Sequence, residues 1–215
     1  MMSPRRFALL FLAVWFACLF PIFASRILPL ADFPNHLARY EILAHPNEPF
    51  YRAFWQPAWA FLPNLGSDLL VVGLAKFMPT ILAGRVGVSL IIGLIGFGFA
   101  WVHREWSGRW EAWGLLGLPI AWAWPMQMGF VNYMTGFGVL LVVLAAHLRL
   151  RERPLPQYLV VLVPLSLVLV VCHFLAFCFL LVVVATLEVA FTRTKERVPL
   201  RIGAVAMRLG LITIL

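Results

Sequence analysis

Residues 81–102 read ILAGRVGVSLIIGLIGFGFAWV, a run whose only charge is Arg85, one turn from its start. A helix crosses the hydrocarbon core of a bilayer with about 20 apolar residues. This run is long enough, so Ile81–Val102 is read as a membrane span and the chain as a membrane protein. The rest of the chain repeats the pattern. Phe7–Ala24 precedes it, and Ala112–Trp124, Gly129–Leu148, Leu159–Val171 and Phe174–Phe191 follow. A further apolar run is in progress at Leu215, which leads us to expect a C-terminally incomplete membrane domain over residues 1–215. Of the 215 residues 63% are hydrophobic and 12% charged, whereas a soluble domain carries about 25% charge. The expected fold class is therefore all-α, a polytopic bundle of about six spans.

The formal net charge of +8 could signal nucleic acid. Its distribution points elsewhere, because the basic residues gather in short connectors: HREWSGR, RLRER and TRTKERVPLR. That is the positive-inside signature of cytoplasmic loops, so no nucleic-acid partner is expected and the lipid bilayer is. Arg5 and Arg6 lead the first run. Its end, Ile22-Phe23-Ala24-Ser25, lacks the small residues of a good cleavage site, which makes it an uncleaved first span with a cytoplasmic N-terminus. The setting expected is the inner (plasma) membrane of a bacterium. Cys18, Cys172 and Cys178 all lie in apolar runs and read as inert thiols, with no disulfide or metal spacing.

Between the first two spans, residues 26–80 form a long outer segment. Seven prolines (Pro29, Pro34, Pro46, Pro49, Pro57, Pro63, Pro79) rule out one long helix. Phe50, Phe54, Trp55, Trp59 and Phe61 suit the membrane interface, so short interfacial helices are expected. Gly66–Met78 is apolar but too short to span, and is read as a re-entrant or interfacial helix. Were it a span, every later connector would change sides and the basic ones would lie outside. The charge bias thus favours six spans.

On the outer side, Leu30–Leu43 reads LADFPNHLARYEIL. Pro34 suits a first helical turn, and Asp32 just ahead of it can cap that turn. Asn35, His36, Arg39 and Tyr40 then follow at steps that share one helix surface. A capped amphipathic helix on the lipid surface explains this much; a site gathering an acid, a histidine and an arginine explains it equally. The same topology places Glu41, Asp68, Gln127, Asn132 and His173 on the outer side. Polar groups at such depths usually face a cavity or the bundle interior. An interhelical hydrogen bond for Asn132 and a backbone-bonded interfacial histidine for His173 are the plain alternatives. Met126, Met128 and Met134 read as packing, as do Gly93, Gly96 and Gly98 within their span. No phosphate-cradling glycine loop, CxxC or HExxH occurs.

The order of parts resembles the GT-C superfamily of polytopic membrane glycosyltransferases, which use a polyprenyl-phosphate sugar outside the membrane. The matching pieces are a first span, Asp32 with PNHLARYEIL, then LGSDLLVVGLAKFM, then Gly84-Arg85-Val86 opening a span, then HREWSGR. The resemblance covers most of the chain as architecture. It implies Asp32 as the catalytic base, with His36, Arg39, Arg85, Asn132 and His173 binding substrate. Arg39, Arg85 or a divalent cation would stabilise the leaving phosphate. The chain departs from the pattern at Phe33, where many relatives carry a second acid. It departs again at Asn132, where many carry an acid, and at His173, where some carry another basic residue. Relatives are also about twice as long. The readings from other classes are a transporter or channel, against which the absence of an internal repeat weighs, and a non-catalytic membrane subunit.

Overall fold

A computed structural model describes residues 2–56, 60 and 62–193. Every regular element among them is helical: α1 (Pro4–Cys18), α2 (Phe20–Ala24), α3 (Phe33–Ala44), α4 (Pro49–Phe54), α5 (Gly66–Ala75), α6 (Thr80–Ser107), a 3-10 turn (Ala112–Leu116), α7 (Gly117–Ile120), α8 (Trp124–Gln127), α9 (Val131–Leu150), α10 (Leu155–Cys172) and α11 (Phe174–Arg193). Five stretches are long and apolar enough to cross a membrane: Pro4–Ala24, Thr80–Ser107, Val131–Leu150, Leu155–Cys172 and Phe174–Phe191. The fold is thus an all-α membrane bundle. Trp59 and Phe61 of the aromatic segment, the basic residues Lys195, Arg197 and Arg201, and the apolar run ending at Leu215 lie outside the described residues.

The first span bends at Leu19, where α1 ends and α2 begins. Pro21 has no N–H to continue the helical ladder, which accounts for the break. At the centre stand α6 and α9. Within its membrane-length window α9 is 72% buried, against 17% for the first span. Small residues allow the close approach: a Cβ on Gly98 would lie 2.7 Å from the Leu141 Cβ and 3.3 Å from the Gly138 carbonyl oxygen. Gly93 faces Trp15 and Gly96 faces Leu118, so the three glycines read as packing sites serve three different neighbours of α6.

The crossing expected at Ala112–Trp124 is present as a path but not as one helix. The Met2 N–H donates to the Trp110 carbonyl at one end of the bundle, at 3.3 Å. The Trp122 indole donates to the Cys18 carbonyl (2.9 Å), and the Ala31 N–H to the Gln127 carbonyl (2.9 Å) at the other end. The segment therefore runs the length of the first span as a 3-10 turn and two short helices. Pro119 and Pro125 interrupt its ladder, and glycines press it onto α6. A Cβ at Gly117 would fall 2.5 Å from the Phe99 Cβ and 3.1 Å from the Gly96 Cα. With backbone on the far side, neither neighbour can swing away. Gly117→Val is expected to destabilise the chain by about 1–3 kcal/mol, the usual range for overpacking. Gly73→Ala, where nothing lies within 4 Å, should not destabilise it. Thermal unfolding in detergent compares the two, and equal midpoints would show that the segment is not seated as described.

This path keeps six passes, five of them as membrane-length helices. One end of the bundle carries Arg5, Arg6, His103, Arg104, Arg109, Arg149, Arg151 and Arg153; the other carries Arg26, Arg39, Arg52, Lys76 and Arg85.

The short helix α5 does not lie flat on the bundle. Its first turn is inserted, with Gly66, Ser67, Asp68 and Val71 buried. Asn64 turns the chain into it at φ +91°, a left-handed conformation that asparagine tolerates better than most residues. The Asn64 and Leu65 N–H groups both donate to the Val171 carbonyl, at 3.1 and 2.9 Å, which ties the start of α5 to the end of α10.

Candidate functional site

The polar residues at the end of the bundle that carries Arg26 and Arg39 are arranged around the first turns of α3, α5 and α9. The start of α3 rests on the connection between α8 and α9. The Asp32 N–H donates to the Met128 carbonyl at 3.2 Å, and Gly129 follows at φ +84°. A Cβ on Gly129 would sit 2.7 Å from the Asp32 nitrogen, so both the turn and the close approach require glycine here.

The expected helix cap at Asp32 is not formed: its side chain accepts no backbone hydrogen bond from α3. The reason is local. Pro34, the second helical residue, has no N–H to offer. Asn35 donates its side-chain amide instead, at 2.6 Å to Oδ1. The other carboxylate oxygen faces His36 Nε2 at 3.6 Å, and Asp32 is 44% exposed. The His36 ring stacks on Tyr40 with 5.9 Å between centroids, and its buried Nδ1 has no hydrogen-bond partner among the described residues.

One turn further along, Arg39 meets a partner on another helix. Its Nε donates to Asp68 Oδ1 at 3.1 Å and its Nη2 to Oδ2 at 2.8 Å. Asp68 is wholly buried while Arg39 is 55% exposed. Burial pushes the Asp68 carboxyl above its usual range, opposed by the charge and hydrogen bonds of Arg39, then by His36 and Asn132. Beside this pair runs a buried chain of hydrogen bonds. The Tyr40 hydroxyl donates to Ser67 Oγ (2.7 Å), and both the Ser67 hydroxyl and its backbone N–H donate to Asn132 Oδ1, each at 2.7 Å. Burial also raises the Tyr40 phenol, which keeps it a donor. Asn132 thus joins α9 to α5, as the hydrogen-bond reading expects, and through Ser67 and Tyr40 to α3.

Two residues that were not singled out as site residues, Asp68 and Ser67, thus tie Arg39 of α3 and Asn132 of α9 to α5, while Asp32 and His36 stand earlier on α3 and pair with each other. The short spacing from Asn64 to Asp68 carried that signal: a turn-forming asparagine leading an acid into an otherwise apolar helix. His173, between α10 and α11, packs against α9 at Gly136, one turn beyond Asn132. Its ring meets Tyr133 edge to face at 5.3 Å, and a Cβ on Gly136 would be 2.5 Å from its own Cβ. Its Nδ1 is buried without a partner, and burial lowers the imidazole's pKa. Arg85 is placed elsewhere: its Nη2 donates to the Ser25 and Arg26 carbonyls at 2.9 and 2.6 Å, fastening the exit of the first span. Gln127 donates to the Trp122 carbonyl at 2.8 Å, and Glu41 pairs with His45 at 3.1 Å. No three His, Cys, Asp or Glu among the described residues gather closely enough to hold a metal ion. Asp68 is engaged by Arg39, so the donors present do not fit a divalent cation. An apolar groove of about 640 Å³, lined by Leu28, Phe33, Pro34, Leu37, Pro79 and Ile81 among others, opens along the other face of α3, and Asp32, His36 and Arg39 do not line it.

Fold and site together define an all-α membrane protein with a polar cluster at one end of its bundle. Compared with protein-family models, curated proteins and solved structures, the chain matches none.

Proposed function

We propose that the protein is a glycosyltransferase-like membrane enzyme, taking a sugar from a polyprenyl-phosphate donor to an acceptor on the outer face. The observation that carries this reading is the half-exposed Asp32 carboxylate facing His36, with Arg39 held on the same helix by Asp68. A carboxylate within reach of solvent and of an acceptor hydroxyl can take its proton as the oxygen attacks the anomeric carbon. The bond from that carbon to the phosphate oxygen breaks as the new one forms, with inversion, and the phosphate leaves with the electron pair. Positive groups at the developing charge lower the barrier, and Arg39 is the cation at this cluster.

The test is transfer of labelled sugar from polyprenyl-phosphate donors by the full chain in proteoliposomes. Failure across hexose and pentose donors, with solute uptake in its place, would favour the transporter reading. Orientation has its own check. Single cysteines at Asn47 and Glu152 lie at opposite ends of the bundle. With the positive-inside bias, the first should react with a membrane-impermeant thiol reagent from outside and the second only after lysis. Reaction of both from one side would overturn the topology.

A further inference from the structure

We propose that Asp68 is a positioning residue, whose buried carboxylate holds one edge of the Arg39 guanidinium so that the opposite edge binds a phosphate oxyanion. The proposal deepens the reading above and rests on its polyprenyl-phosphate donor.

The geometry begins with the hydrogens. A guanidinium has five N–H donors in a fixed plane. Asp68 takes the Nε donor and one on Nη2, which leaves the Nη1 edge. Arg39 is 55% exposed although its carboxylate partner is fully buried, so solvent reaches its side chain from the side away from Asp68. Two planar hydrogen bonds fix the direction in which it points.

A helix-to-helix clamp would be a simpler role for the pair, but two facts count against that being all. The Tyr40–Ser67–Asn132 hydrogen bonds already fasten α3 to α5 and α9. A buried ion pair is also a poor way to hold helices, since apolar residues of like volume usually serve as well or better. What it adds is a fixed orientation for a side chain that is otherwise long and mobile. The pair is formally neutral, so an anion would be chosen by directed donors and not by net charge. His36 stands on the same helix one turn away.

That neutrality makes the idea testable by sign. Asp68→Asn removes a negative charge from the site. If Arg39 acted as a simple point charge, the variant would bind an anion more tightly; if orientation matters, it binds more weakly. A hydrogen bond to a charged group corresponds to about 10–100-fold in affinity, and that is the expected weakening. Arg39→Lys keeps the charge, loses the fork, and should weaken binding to a similar degree. Tyr40→Phe breaks the bond to Ser67 and should lower thermal stability with anion affinity unchanged, which separates positioning from clamping. The full chain in phosphatidylcholine nanodiscs would be titrated calorimetrically with farnesyl phosphate. Competition arms with inorganic phosphate and with phosphatidylglycerol-doped nanodiscs identify free phosphate or a bilayer headgroup as the occupant, and either leaves the fork in place. Farnesyl phosphate binding that both fork variants weaken, without sugar transfer, would reject the enzyme reading and leave this one standing. The proposal is overturned if wild type binds none of the three, if Asp68→Asn binds as well as or better than wild type, or, should that variant not fold, if Arg39→Lys matches wild type.

Discussion

Asp32→Asn is expected to leave folding and insertion intact and to lower sugar transfer by about 10²–10⁴-fold, the usual contribution of a general base. The structure narrows what else that substitution could disturb. Asp32 makes no capping bond to α3, so no helix cap is lost. The Asn side-chain oxygen can still accept the Asn35 amide that now donates at 2.6 Å. The seat of the backbone on Met128 and Gly129 is independent of the side chain. What disappears is the carboxylate that can take a proton, and with it the negative charge facing His36 Nε2 at 3.6 Å. Transfer rates in proteoliposomes, normalised to inserted protein, measure the effect. Undiminished transfer would remove Asp32 as the base, and loss of insertion along with activity would make its role structural.

Arg39→Ala should produce the largest loss of stability at this end of the bundle. It leaves the Asp68 carboxylate buried without its partner, and breaking a buried pair in this way costs about 3–5 kcal/mol. Arg39 is itself half exposed, which places the expected loss toward the lower end. The deficit should depend on pH, and its sign follows from Asp68. Burial raises this carboxyl above its ordinary value, and Arg39 is the main influence drawing it back. Without Arg39 it rises further. The folded chain then holds a proton that the unfolded chain has released, so the variant is favoured below the unfolded pKa, about 3.9. That stability is lost as pH rises through the folded value. Thermal unfolding of the full chain at pH 5 and pH 8 should show a smaller gap from wild type at pH 5. A gap that is the same at both values would mean that Asp68 is not the group left unpaired.

Much of the framework was legible because membrane spans obey a one-dimensional rule. Length and apolarity of Ile81–Val102, Gly129–Leu148 and Phe174–Phe191 are local properties, and the basic connectors order the passes without reference to packing. Gly66–Met78 reads as too short to span, and α5 within it is a short helix, Gly66–Ala75. Less was legible where one residue's role depends on another far away. Ala112–Trp124 was expected as one helix, yet Pro119 and Pro125 break it, and its seat depends on the glycines of α6. Asp32 was read as a cap from its neighbours alone. Pro34 removed one donor, and the Asn35 side chain supplied another.

By itself the sequence determined that this chain is an all-α membrane bundle with basic connectors at one end and an acid, a histidine and an arginine at the other. These are consequences of composition along the chain, since hydrocarbon excludes unpaired backbone and charge wherever they occur. Only the tertiary structure decided which partners those residues take. Arg39 finds Asp68 across 29 positions, Ser67 finds Asn132 across 65, and Arg85 is spent on the carbonyls of Ser25 and Arg26. Hydrogen bonds and ion pairs are short and directional, so their partners are chosen by the packing of α3, α5 and α9 and leave no spacing pattern in the chain.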